Sequence, residues 1–74
     1  MAAKRARPFS ELGIRCRQVR KKKGLSQMDI VRDAEFTLSH LQKIERGALD
    51  PRYSTLKKLA EALGVTMSEL VKGL

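Results

Sequence analysis

The sequence has no tryptophan, one tyrosine and two phenylalanines in 74 residues. Its core must therefore come from Leu, Ile, Val, Ala and Met. A single cysteine, Cys16, excludes an internal disulfide and any multi-cysteine metal site. The only histidine, His40, sits on a different helical segment from Cys16, so no metal-ligand set is expected. Apolar runs reach two or three residues, far short of the roughly 20 that cross a bilayer. The basic start is followed by no apolar stretch of the kind a secretory signal carries. These absences point to the cytoplasm, with no membrane partner. No paired carboxylates, no nucleophile beside a base and no phosphate-cradling glycine loop are present. Neither an enzyme nor a cofactor nor a small-molecule ligand is expected.

Acids are also scarce, eight against sixteen Lys and Arg, for a formal net charge of +8. The excess is placed unevenly. Residues 1–23 hold nine bases and the one acid Glu11, whereas residues 24–74 hold seven of each. A cationic first third can be a solubilising tail and a solvated helix face. It is also the electrostatic footprint expected of a chain that binds phosphates.

The length allows one domain with one small core. Residues 1–9, basic and aperiodic around Pro8, read as a flexible arm, and residues 10–74 read as the folded domain. The first helix is expected from Ser10, as its cap, to Lys23, with Gly24 ending it. Leu12, Cys16, Val19 and the Lys23 stem form its inward stripe, while Ile14 points outward among Arg17, Gln18 and Lys21. Ser26 with Asp29 forms a capping box for the second helix, and Leu25 and Ile30 are its staple. Thr37 caps the third, with Phe36 stapled to Leu41, and Arg46-Gly47 ends it. Ser54 is expected to cap the fourth, whose buried face is Leu56, Leu59, Ala60 and Leu63 before Gly64. Thr66 with Glu69 boxes the fifth, which carries Met67, Leu70, Val71 and Leu74. Met28 and Met67 read as gap fillers, Cys16 as a buried inert thiol and His40 as an edge residue. No segment alternates over strand length, so the fold class is all-α.

About two residues separate the second helix from the third, between Ala34 and Thr37. Such a short link forces a sharp crossing, the geometry of a helix-turn-helix. On the third helix Leu41 and Ile44 mark the inward side. Ser39 and Arg46 lie opposite, flanked by Leu38, Gln42 and Lys43. That mixture suits a major groove: Lys to guanine, Gln to adenine, an apolar group to a thymine methyl. A solvated helix face would have the same composition.

Leu12-Gly13, Arg20, Gly24-Leu25-Ser26-Gln27, Ile44-Glu45-Arg46-Gly47, Pro51, Thr55-Leu56, Leu59-Ala60, Ala62-Leu63-Gly64-Val65 and Glu69-Leu70 form a spaced pattern over roughly residues 12–70. It resembles the phage-repressor Cro/CI-type (Xre-like) helix-turn-helix domains. The resemblance implies a compact five-helix, lambda-repressor-like domain. Its second and third helices would form the motif and bind duplex DNA as a homodimer. The implied function is sequence-specific, repressor-like transcriptional regulation by a cytoplasmic protein of prokaryotic or phage type, nucleoid-associated through DNA. The alternative is a protein-interaction or antitoxin-like adaptor module on the same fold.

Carried over by position, the resemblance assigns base reading to Leu38, Ser39, Gln42 and Lys43. Gln27, Thr37, Arg46, Arg52, Tyr53 and Ser54 would hold the DNA backbone, joined by Lys4, Arg5 and Arg7 of the arm. Arg20 and Glu45 would form a structural salt bridge between the first and third helices. Three positions depart from the family pattern. Glu35 stands where the turn usually has Gly, Val31 where the second helix usually has a small Ala, and Leu38 where a base-reading Gln or Arg is frequent. A dimer would use the edges of Met67, Val71 and Leu74 or the surface of the fourth and fifth helices.

Overall fold

Capping side chains set most of the helix starts, as the computed structural model shows over the residues it describes, 9–74. Five helices follow in order: α1 Ser10–Lys22, α2 Gln27–Ala34, α3 Leu38–Glu45, α4 Tyr53–Leu63 and α5 Met67–Val71, with no strand among the described residues. At α2 the Asp29 N–H donates to Ser26 Oγ at 3.0 Å and the Ser26 N–H donates to Asp29 Oδ2 at 2.8 Å. At α5 Thr66 and Glu69 exchange the same pair of bonds, at 3.0 and 2.9 Å. Thr37 Oγ1 accepts the His40 N–H at 3.0 Å and starts α3. Each cap satisfies donors that the helix leaves over, a contribution of about 1 kcal/mol apiece.

Two starts differ from expectation. Ser10 is the first residue of α1 and Phe9 its N-cap, with no side-chain cap bond. The Gly13 N–H donates to the Phe9 carbonyl at 3.0 Å, so the ladder begins one residue early. Packing replaces the cap there. Gly47, at φ +73°, lies so close that a Cβ on it would meet Ser10 N at 2.5 Å. Ser54 likewise lies inside α4, whose N-cap is Arg52. The Leu56 N–H donates to the Arg52 carbonyl at 3.0 Å, just after the buried Pro51. A rigid, anchored residue turns the chain into the helix before Ser54 is reached.

The ends of α1 to α4 follow a single scheme. A backbone N–H reaches back five residues, from Leu25 to Arg20, Phe36 to Val31, Ala48 to Lys43 and Val65 to Ala60, at 2.9–3.1 Å. Each such bond needs a left-handed residue just before the donor. Glycine fills that place at 24, 47 and 64, and Glu35 fills it at φ 60°, ψ 38°. Glu35 is thus the turn of the helix-turn-helix, strained as an L-residue without glycine's freedom.

The core consists of Cys16, Ile30, Ala34, Leu41, Ile44, Leu59, Ala60, Leu63 and Leu70, drawn from all five helices. α1 packs on α3 and α5, α2 on α3 and α4, and α4 on α5. Gly13 allows the closest approach: a Cβ on it would stand 2.4 Å from the Glu45 carbonyl oxygen. The C-terminal end of α3 therefore rests directly on the α1 backbone. Leu12, Val19, Leu56 and Met67 pack around the core, whereas Met28 is 56% exposed and fills no gap. It follows the Ser26 cap in the first turn of α2.

Candidate nucleic-acid interface

α3 is held by its inward residues, Leu41 and Ile44, both essentially inaccessible. A helix of eight residues pinned at two core positions cannot roll, so its opposite face has a fixed aim. That face presents Ser39, Gln42 and Lys43, all exposed, with Leu38 at its start 38% exposed. The array is amide, ammonium, hydroxyl and one apolar group. These groups can pair with base edges or contact a thymine methyl.

The end of α3 is tied down by charge. Arg20 Nε donates to Glu45 Oε2 at 2.7 Å and Arg20 Nη2 donates to Glu45 Oε1 at 3.3 Å. A third donor of the same guanidinium, Nη1, reaches the Leu25 carbonyl at 3.0 Å. The side chains are 10% and 6% exposed, so the pair is substantially desolvated. Gln27 Nε2 also donates to Glu45 Oε1, at 3.0 Å. The first side chain of α2 is thereby coupled to the last of α3. Gln27, assigned to the DNA backbone from sequence, spends an amide donor on Glu45 in this structure. No buried side-chain polar atom lacks a partner among the described residues.

The remaining residues expected at the interface fall in three places. Gln27, Gln42 and Arg46 line one cleft between α1, the start of α2 and the end of α3. Thr37 is the exposed cap of α3. Arg52, Tyr53 and Ser54 are exposed at the start of α4, Tyr53 at 69%, and are not part of that cleft. Lys4, Arg5 and Arg7 lie outside the described residues. Sequence reasoning counted Arg17 and Lys21 in the cationic first third but gave neither a contact of its own, and both line the same cleft. Both follow Gly13 at intervals of four, and Gly13 is where α3 touches α1, so the signal was present in the spacing.

Other titratable and apolar groups take structural places. Burial, helped by the Glu45 carboxylate, pushes the Cys16 thiol up to about 12, which keeps it protonated and unreactive. The His40 ring lies against Phe36, with centroids 4.8 Å apart. Arg15 Nη1 donates to the carbonyls of Glu69 and Leu70 at 3.2 and 3.4 Å, fastening α5 to α1. No group of three or more metal-ligating side chains occurs, and no helix is long and apolar enough to cross a membrane, among the described residues.

Comparison with known proteins places this arrangement among relatives. A family model described as a helix-turn-helix domain matches residues 11–71. An HTH-type transcriptional regulator, DdrOP3, of Deinococcus deserti is 36% identical over 59 residues, covering 80% of this chain and 46% of the relative. The immunity repressor protein of Bacillus phage phi105 is 37% identical over 60 residues, covering 81% of this chain and 42% of the relative. The chain thus spans under half the length of both. Among solved structures, the restriction-modification controller protein C.AhdI from Aeromonas hydrophila superposes with a TM-score of 0.81 at 32% identity. That match covers 84% of this chain and 94% of the controller.

Proposed function

Because this chain belongs to the helix-turn-helix domain family, we propose that it is a duplex-DNA-binding transcriptional regulator of repressor type. In this reading α3 enters the major groove, and Leu38, Ser39, Gln42 and Lys43 meet base edges. Thr37, Arg46, Arg52, Tyr53, Ser54 and the α2 terminus at Gln27 hold the flanking phosphates, which fix register without reading sequence. Lys4, Arg5 and Arg7 add cationic contacts from the N-terminal segment.

The observation that carries this reading is the fixed, exposed, hydrogen-bonding face of α3 beside the cleft that Arg17, Lys21 and Arg46 line. Leu41, Ile44 and the Arg20–Glu45 pair hold that face from beneath. The two named regulators, the HTH-type regulator DdrOP3 and the phage immunity repressor, support the regulatory role by similarity. Two copies would meet half-sites about 34 Å apart, one DNA turn. Val71 and Leu74, 36% and 50% exposed at the C-terminal end, supply apolar surface for that pairing. The protein would act in the cytoplasm, bound to the nucleoid.

Selection of bound duplexes from a random pool tests the proposal. The expected product is an enriched, two-fold related pair of half-sites spaced by about one helical turn. Failure to shift any duplex at micromolar protein and physiological salt would sink it and favour a protein-interaction module.

A further inference from the structure

The cleft between α1, the start of α2 and the end of α3 holds charge that the fold does not use. Its volume is about 410 Å³. Four cations and one carboxylate line it. Arg20 is consumed by Glu45 and the Leu25 carbonyl. Arg17, Lys21 and Arg46 are exposed, and none of the ion pairs among the described residues includes them. Solvation alone balances three like charges around one opening.

The lone carboxylate does not oppose an anion there. Arg20 meets Glu45 at both oxygens and the Gln27 amide adds a third donor, so the negative charge is saturated from within. The surplus on the walls is therefore about three positive charges over a neutral floor. The α2 terminus adds to it. The Ser26–Asp29 box consumes the N–H groups of those two residues and leaves those of Gln27 and Met28, at the positive end of the helix dipole.

We infer that this cleft seats one phosphodiester of the duplex, gripped by Arg17 and Lys21 of α1 opposite Arg46 of α3. The inference rests on the DNA-binding reading and adds α1 to its contact surface. Guanidinium groups match a phosphate's two free oxygens as a fork, and an ammonium adds a point charge. Arg17 and Lys21 are one helical turn apart on the rigid α1, so they present a fixed pair. The contact would carry no sequence information but would fix how α3 sits in the groove. It also gives the Arg20–Glu45–Gln27 network a second consequence: by neutralising Glu45 it keeps the phosphate seat free of repulsion.

The test compares the wild-type chain, Arg17→Ala/Lys21→Ala and a charge-matched control, Lys22→Ala/Lys58→Ala. In the control, Lys22 lies on the other side of α1 beside Val65 and Glu69, and Lys58 lies beside Asp33, Glu35 and Glu61. Each protein is titrated with one selected duplex and one random duplex across a salt series, with circular dichroism verifying equal melting. For Arg17→Ala/Lys21→Ala the slope of log affinity against log salt should fall by about 0.9, one phosphate's counterion release. The affinity loss should be the same on both duplexes. The control should retain the wild-type slope. Equal slopes for the two double variants would overturn the inference while leaving DNA binding intact. A wild-type chain that binds neither duplex would overturn the DNA-binding reading itself.

Discussion

The Arg20 guanidinium meets the Glu45 carboxylate at two points, 2.7 and 3.3 Å, and joins α1 to the last residue of α3. Both side chains are at least nine-tenths buried. Removing one partner strands the other charge, which typically costs about 3 kcal/mol or more. Glu45→Ala is expected to lose that much in urea unfolding, a large fraction of the stability of so small a domain. Arg20→Met/Glu45→Leu should recover most of it, because two apolar side chains leave no unpaired charge. A Glu45→Ala cost under about 1 kcal/mol would put the pair in the class of surface ion pairs.

Glu35 sits in the left-handed region at φ 60°, the place that Gly24, Gly47 and Gly64 fill at the ends of α1, α3 and α4. An L-residue there costs on the order of 1 kcal/mol, partly offset by glycine's freedom in the unfolded chain. Glu35→Gly should raise the melting temperature by a few degrees, since about 1 kcal/mol corresponds to roughly 4–8 °C in a domain of this size. Glu35→Val should lower it, because a β-branched residue fits that region worst. A Glu35→Gly variant that melts lower than the parent would show that Glu35 contributes an interaction outweighing its strain.

The sequence carried the fold in its punctuation. Ser26, Thr37 and Thr66 each stand three residues before a residue whose N–H they accept, and Gly24, Gly47 and Gly64 end helices in the left-handed region. Five helices and their order follow from those marks. Ser10 and Ser54 carry the same mark but lie inside their helices, because Gly47 and Pro51 set those starts through packing that no local pattern encodes. The helix wheel found Cys16 and Val19 but missed Arg20, which is only 8% exposed. A wheel treats a cation as outward, and only a partner from another helix reverses that. Family resemblance supplied the Arg20–Glu45 pairing, while the Gln27 amide on Glu45 had no signal in either source.

Acid should weaken the domain through its two capping boxes. Asp29 is held below the usual carboxylate range first by the Ser26 N–H and then by the Ser26 hydroxyl. Glu69 is held down in the same way by Thr66. A carboxyl whose folded pKa lies below its unfolded one stabilises the fold above the unfolded value, and that contribution disappears as pH falls through the folded one. Stability should therefore be flat near neutrality and decline below about pH 5. Asp29→Asn/Glu69→Gln should start lower at pH 7 and show a shallower acid decline. An acid limb as steep as that of the wild type would assign the decline to other carboxyls.

Lys43 and Gln42 are exposed on the outer face of α3, away from the core. A side chain that pairs with a base edge discriminates against the wrong base by about 1–3 kcal/mol. Lys43→Ala should therefore lower affinity for the selected duplex by roughly tenfold or more while barely changing random-duplex affinity beyond its single charge. Gln42→Ala, which changes no charge, is the cleaner case: its salt slope should equal the wild-type slope, and only preference at one or two positions should relax. Arg46→Ala should behave in the opposite sense, weakening both duplexes alike and reducing the slope by about one phosphate. The three variants together separate reading from gripping. If Gln42→Ala and Lys43→Ala lowered both affinities in equal proportion, α3 would touch only the backbone, and specificity would have to come from the shape of the DNA.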